Sequence, residues 1–435
     1  MSFSDADIYR IEVASGRSEN LTPHSGEILY TGSSVSPDGK VLLASTEKGG
    51  FQNVAALDPK NKKPDWITDT QWEAGSGEFS PDGQRFTYLI NQDGRSSLYL
   101  QTAGGKQAQK LPFPEGLTLS AGNPTSFSPD NTRLLVSHQD SQRPSDLWIY
   151  DVRSGKTRQL TYSALASLRP ISIPPSQIVS YKSFDGQMIS AILWMPYNLK
   201  RDGSNPAVVL PHGGPTGQTV DTFDSRAAAL ASRGYICIAP NVRGSTGYGM
   251  AFQKANFKDL GGGDLQDEVY ATKFLVATGY VDPKKIGMTG GSYGGFMTLM
   301  AVGKTPDVWA AAVEEFGIID WYTMMQHEDP FLQQYEKSIL GDPEKDRAAY
   351  EAASPIKYIR KETAPLLVLQ GENDIRVPKE EAEQVVEILK KEGKTVDAHY
   401  YPQEGHGFAK RENQIDSLRR IIEWFDKYLK GKSSS

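Results

Sequence analysis

Beyond residue 200 the chain returns repeatedly to short apolar runs, at 207–210, 235–239, 286–289, 310–313 and 366–369. Runs without polar interruption suit strands buried on both faces, as in a parallel sheet covered by helices. Between them the spacing of apolar residues changes to a helical period, over 265–277, 380–391 and 415–429. Asp264, after three glycines, reads as the N-cap of the first of these helices. Two further strand-like stretches, 178–181 and 189–194, open this region. Strands alternating with helices predict an α/β domain over 176–435.

The first 170 residues follow another rhythm. Ser36-Pro37-Asp38-Gly39, Ser80-Pro81-Asp82-Gly83 and Ser128-Pro129-Asp130-Asn131 begin 44 and 48 residues apart, a period expected of propellers and other repeat folds. In each tetrapeptide Pro presets φ and Gly or Asn accepts a positive φ, so each is a tight turn. β-rich runs flank the turns, as at 41–45 and 133–137, and a second strand pair follows, as at 147–151 and 159–161. Four strands per period is the pattern of a propeller blade. Residues 7–22 match only the second half of such a unit. The reading is therefore a partial β-propeller over 1–170, with three full units and a half. An unpaired half-blade edge invites association, so a homo-oligomer is an expectation of this reading.

Charge and composition narrow the function classes. The 47 Lys and Arg against 53 Asp and Glu leave a formal net charge of −6, which disfavours nucleic acid as a partner. The single cysteine, Cys237, lies within an apolar run and reads as a small buried hydrophobe. No apolar run is long enough to span a membrane, and the N-terminus lacks a basic region followed by an apolar stretch. These features predict a soluble, cytoplasmic protein, although a leader removed from the chain would leave the same start.

The residues with chemistry cluster at the ends of the predicted strands. Gly290-Gly291-Ser292-Tyr293-Gly294 follows the 286–289 strand and precedes a helix-compatible stretch, the strand-turn-helix setting of a nucleophile elbow. A serine hydroxyl needs a base to remove its proton, and that base needs an acid to fix its tautomer. In this fold the order is Ser, acid, His. His399 lies within a strand-like stretch, whereas His406 lies in the glycine-flanked Glu404-Gly405-His406-Gly407-Phe408 and can reach the sheet top. Asp374 stands just past the 366–370 strand and is favoured over Glu372, which is nearer the strand end. The triad expected is Ser292, Asp374 and His406. His212-Gly213-Gly214-Pro215 closes the 207–210 strand, so the N–H of Gly214 would join that of Tyr293 as an oxyanion hole. The polar, glycine-rich loop 241–249 either lines this site or only turns the chain.

Together these residues resemble the prolyl oligopeptidase family of serine peptidases, particularly its acylaminoacyl-peptidase and dipeptidyl-peptidase-like branches. The resemblance rests on the GGSYGG elbow, the HGGP loop, NVRGSTGYG, GGGD before a helix, GENDIRVP and EGHGF. It implies that Arg376 binds a substrate backbone carbonyl. Family members usually carry longer chains with seven or eight blades, so the size filter of a full propeller is in doubt here. No paired-glutamate motif for gripping a free N-terminus stands out in the propeller half, since Glu314-Glu315 lies in the α/β region.

The function expected is hydrolysis of short peptides or N-acylated amino acids through an acyl-enzyme on Ser292, with no metal and no organic cofactor. Trp321 and Tyr322 are candidates for an apolar substrate pocket. A carboxylesterase using the same triad is the first alternative. A non-catalytic protein whose propeller binds a partner is the second.

Overall fold

The computed structural model describes residues 5–122, 125–164 and 172–431. The expected domain boundary at residue 170 lies outside the described residues. The chain forms two compact units. One comprises Met1–Ser172 with Val220–Phe223 and Gly247–Ala251, and the other comprises Ile173–Thr219, Asp224–Thr246 and Phe252–Ser435.

The first unit is built of antiparallel strands in chain order. β1 (Tyr9–Ile11) pairs with β2 (Ser18–Asn20). β3 (Thr31–Val35), β4 (Leu42–Lys48), β5 (Phe51–Leu57) and β6 (Pro64–Trp66) form a four-stranded sheet. β7 (Glu73–Phe79), β8 (Arg85–Gln92), β9 (Arg95–Thr102) and β10 (Ala108–Lys110) form a second group. The third contains β11 (Leu117–Ser120), β12 (Arg133–Asp140), β13 (Arg143–Asp151) and β14 (Thr157–Gln159), and a parallel contact of Leu117 with Ser96 joins it to the second. The repeated tetrapeptides take one geometry. Gly39, Gly83 and Asn131 have φ of 71°, 69° and 60°. The N–H of each donates to the carbonyl of the serine three residues earlier, at 2.8, 2.8 and 2.9 Å. The left-handed conformation explains why Gly or Asn stands at the fourth position.

The second unit is one eight-stranded sheet. Its strands are β15 (Ser176–Lys182), β16 (Met188–Trp194), β17 (Asn205–Val209), β18 (Ile236–Asn241), β19 (Val281–Gly291), β20 (Ala311–Glu315), β21 (Leu366–Gly371) and β22 (Val396–Tyr401). They lie in the order β15-β16-β18-β17-β19-β20-β21-β22. From β18 onward every pairing is parallel, while β15 and β16 are antiparallel at one edge. The α-helices of the whole chain, among the described residues, are α1 (Ser225–Ser232), the short α2 (Met250–Gln253), α3 (Gly263–Ala277), α4 (Tyr293–Lys304), α5 (Trp321–His327), α6 (Pro330–Leu340), α7 (Arg347–Ala353), α8 (Lys379–Lys391) and α9 (Arg411–Lys430).

The apolar runs are explained by this layering. Val209, Ile238, Met288 and Val368 pack with α3, α4 and α8 on one face. Val208, Cys237, Val313 and Leu369 pack with α1 and α9 on the other. Both faces of each central strand are buried, so neither parity of position can be polar. Cys237 is fully buried and burial pushes its thiol far up, consistent with a packing role. No helix among the described residues is long and apolar enough to cross a membrane.

One local expectation changes. The cap of α3 is Gly262, and Asp264 lies inside the first turn with no exposed surface. Its carboxylate accepts from the N–H of Leu265 at 2.8 Å and from the Tyr293 hydroxyl at 2.5 Å. A cap rule reads only local sequence, whereas this carboxylate is drawn to a donor on another helix.

Candidate active site

In a doubly covered parallel sheet, the loops past the carboxyl ends of the strands hold the exposed chemistry. Four such loops meet here, after β17, β19, β21 and β22. Ser292 follows Gly291 directly and caps α4, with φ 58° and ψ −122°. For a residue with a side chain this conformation costs about 1–3 kcal/mol and persists only where its surroundings impose it. The surroundings do so. A Cβ on Gly290 would meet the Pro211 carbonyl oxygen at 2.7 Å, and one on Gly294 would meet the same atom at 2.4 Å. A Cβ on Gly295 would lie 2.6 Å from the Glu315 carbonyl oxygen. The strand-to-helix turn is therefore clamped between β20 and the loop after β17, and the Ser292 N–H donates to Glu315 at 3.0 Å. The Ser292 side chain makes no capping bond.

His406 and Asp374 come together from separate loops. The His406 Nδ1 lies 2.9 Å from Asp374 Oδ2. The other carboxylate oxygen accepts from the N–H groups of Arg376 and Val377, at 2.9 and 3.0 Å. The Asp374 side chain is wholly buried, and the imidazole is one-fifth exposed. A buried carboxylate with its second oxygen held by backbone donors can orient an imidazole without moving, which is the geometry of a base-and-orienter pair. Glu372, the rejected alternative, is exposed. His399 lies in β22 with its Nε2 3.8 Å from Asp416, as a strand side chain should.

The His406 loop is itself tied down. Glu404 is buried and accepts from the N–H groups of Ala409 and Lys410, at 2.7 and 3.0 Å, and from the Asn413 amide at 2.6 Å. Burial alone would raise its carboxyl, but these donors hold it below the usual carboxylate range. A residue that sequence reasoning passed over also supports the histidine. Phe316, just past β20, has φ 40° and packs its ring against that of His406, with centroids 4.9 Å apart. The same ring would meet a Cβ on Gly291 at 2.7 Å. No periodic signal marks it. Its place at the end of the strand beside the nucleophile strand is the clue that was available.

The glycine loop after β17 reaches the elbow. A Cβ on Gly213 would lie 3.7 Å from the Ser292 Cβ, so backbone and nucleophile are in van der Waals range. Gly214 has φ 145° and precedes a cis Pro215. His212 Nε2 lies 2.8 Å from the Ser245 hydroxyl, which donates to the Val242 carbonyl at 2.6 Å. The 241–249 loop thus supports the glycine loop. Tyr293 is the first residue of α4, so its N–H has no acceptor within the helix and stands beside Ser292.

The expected substrate contacts are placed less uniformly. Arg376 is exposed, and no ion pair or side-chain hydrogen bond among the described residues holds its guanidinium. Trp321 is only 3% exposed and packs on Phe296 at 5.4 Å, which in turn packs on Tyr293 at 4.8 Å. It belongs to the core behind the elbow and not to an exposed wall. Tyr322 packs on Tyr350 at 5.4 Å and donates to the Pro343 carbonyl at 3.3 Å.

Residues 221–432 match the model of the prolyl oligopeptidase family. An uncharacterized peptidase of Bacillus subtilis is 33% identical over 81% of this chain and 53% of its own length. Dipeptidyl-peptidase 5 of Porphyromonas gingivalis is 26% identical over 98% of this chain and 63% of its own. The chain thus spans roughly half to two thirds of the length of these curated relatives. Among solved structures, a Mycobacterium tuberculosis puromycin-hydrolyzing peptidase superposes with a TM-score of 0.88 at 23% identity, over 98% of this chain and 65% of that one. The Pyrococcus horikoshii acylaminoacyl peptidase gives 0.80 at 23% identity, over 99% and 67%. The shared fold is an N-terminal β-propeller region followed by an α/β-hydrolase. By the family match over 221–432 and these relatives, the α/β-hydrolase part of the chain is similar to the prolyl oligopeptidase family.

Proposed function

We propose that this chain is a serine peptidase acting on short peptides or N-acylated amino acids, with Ser292 as nucleophile, His406 as base and Asp374 as its orienter. The observation that carries the reading is the His406–Asp374 contact of 2.9 Å, formed past two neighbouring strand ends beside the strained Ser292 elbow. The Ser292 hydroxyl attacks the scissile carbonyl carbon while His406 Nε2 takes its proton. The tetrahedral oxyanion accepts hydrogen bonds from the N–H groups of Tyr293 and Gly214, each such donor being worth about 3 kcal/mol. His406 then gives its proton to the departing amine, and water releases the acyl group by the same steps reversed. Arg376, exposed and unpaired next to Asp374, is positioned in sequence to hold a substrate carbonyl. The names of the relatives, which include dipeptidyl-peptidases and acylamino-acid-releasing enzymes, support this substrate class.

The test compares kcat/KM on an amide and an ester of one N-acylated apolar amino acid, with Ser292→Ala as the blank. Amide turnover within about a hundredfold of ester turnover is expected, because the site must protonate a poor amine leaving group. Ester turnover alone would make the protein a carboxylesterase, and full turnover by Ser292→Ala would overturn the mechanism.

A further inference from the structure

The Gly261-Gly262-Gly263-Asp264 motif has no part in the chemistry above, yet it converges on the elbow. Asp264 and Tyr293 are both buried, with 0% and 2% of their surfaces exposed. The Tyr293 hydroxyl donates to Asp264 Oδ2 at 2.5 Å, and the buried Asn256 amide donates to the same oxygen at 3.3 Å. The support around this carboxylate is tight. A Cβ on Gly261 would lie 2.3 Å from Met300 of α4, and a Cβ on Gly244 would lie 2.2 Å from the Asn256 amide. The glycines therefore let α3, α4 and the 241–249 loop approach closely enough to fix one hydrogen-bonded junction. That junction ends on the residue whose main chain follows Ser292.

The geometry points to Asp264 as a positioning residue, which anchors the Tyr293 side chain so that its backbone N–H is held against the developing oxyanion. The inference rests on the peptidase reading of Ser292. Tyr293 spans two environments, a buried hydroxyl at one end and the first N–H of α4 at the other. A helix terminus free to rock by a fraction of an ångström would lose alignment with an oxyanion that exists only in the transition state. Substrate binding in the ground state depends little on that donor.

Tyr293→Phe keeps the ring and removes the anchor, and Asp264→Asn keeps the shape and weakens it. Both are expected to lower kcat about tenfold with KM nearly unchanged, and to slow fluorophosphonate labelling of Ser292 by a similar factor. Affinity for a peptide boronic acid, which forms a tetrahedral adduct on Ser292, should fall in parallel, while affinity for the non-covalent product carboxylate stays constant. A merely structural role would move product and boronate affinity together. If Asp264→Asn does not fold, Tyr293→Phe carries the test alone. Wild-type kcat and boronate affinity in Tyr293→Phe would overturn the anchor while leaving the nucleophile intact. Wild-type protein that neither turns over nor labels at Ser292 would overturn the peptidase reading first and the anchor with it.

Discussion

In the first unit, Asp38, Asp82 and Asp130 sit in exposed turns and accept hydrogen bonds from the serine hydroxyls two residues earlier, at 2.7, 2.6 and 2.6 Å. Those hydroxyls are the main cause holding Asp38 and Asp130 down to about 2. In the second unit, Asp264, Glu381 and Glu314 are fully buried, and burial pushes them up to about 6, 7 and 8. The same functional group is thus used in two ways. A turn carboxylate is satisfied by its own tetrapeptide and by water. A core carboxylate draws on donors that folding brings from elsewhere, such as the Ile319 and Asp320 N–H groups on Glu381 or the Tyr293 hydroxyl on Asp264. The first kind is a local device repeated along the chain. The second makes the α/β unit depend on its tertiary structure being whole.

The largest expected effect tests the core carboxylate nearest the chemistry. Asp374→Asn should lower kcat by about 10⁴-fold, because the amide would favour the wrong His406 tautomer. The N–H donors of Arg376 and Val377 should keep the loop folded, so melting temperature should change little. Retention of a tenth of wild-type kcat would remove Asp374 from the mechanism.

Next in size is the elbow. Gly294→Ala should cost about 3 kcal/mol, since a Cβ 2.4 Å from the Pro211 carbonyl oxygen forces main chain to move. Denaturant midpoints would show it, and an unchanged midpoint would mean that the turn is looser than this packing allows. Gly39→Ala, where a Cβ would meet nothing within 4 Å, should be milder and felt only through its φ of 71°.

A third experiment separates the two classes by pH. A carboxyl raised in the folded state favours folding in its neutral form, so its contribution is present in acid and lost as pH rises. For Glu314 the window runs from its ordinary value of 4.5 to about 8. The melting temperature of the wild type should therefore fall more steeply between pH 5 and 8 than that of Glu314→Gln, with the variant the more stable at pH 8. Parallel curves would show that Glu314 does not titrate as its burial implies.

The smallest effect belongs to the turns. Asp130→Ala removes an exposed carboxylate held by Ser128 and Thr132. Its lowered value means that its stabilisation is present at neutral pH and is lost only as pH falls toward about 2. A slight drop in melting temperature at pH 7 that vanishes near pH 2 is expected. An effect as large as that of Gly294→Ala would erase the distinction between the two units.

What could be read from the chain follows the same division. The strands of the α/β unit are legible because burial on both faces leaves their runs wholly apolar, and Ser292, Asp374 and His406 are legible because each follows a strand end. The elbow is legible only in part. Helix α4 begins at Tyr293, earlier than its periodic stretch at 296–302, because the turn at Ser292 launches it directly from β19. The burial of Trp321 was not legible, because aromaticity near a motif does not say which way a ring faces. Asp264 was misjudged as a cap because its partner, Tyr293, is 29 residues away in sequence.

The sequence by itself determined the repeat of the first unit, the parallel sheet of the second and the strand ends on which the candidate triad stands, since these depend on periodicity and on turn chemistry within a few residues. Only the tertiary structure decided that Phe316 braces His406, that Glu404 fastens its loop, and that Asp264 meets the Tyr293 hydroxyl. Those contacts join residues distant along the chain through close main-chain approach, and local patterns of polarity carry no record of what another element brings to the same point in space.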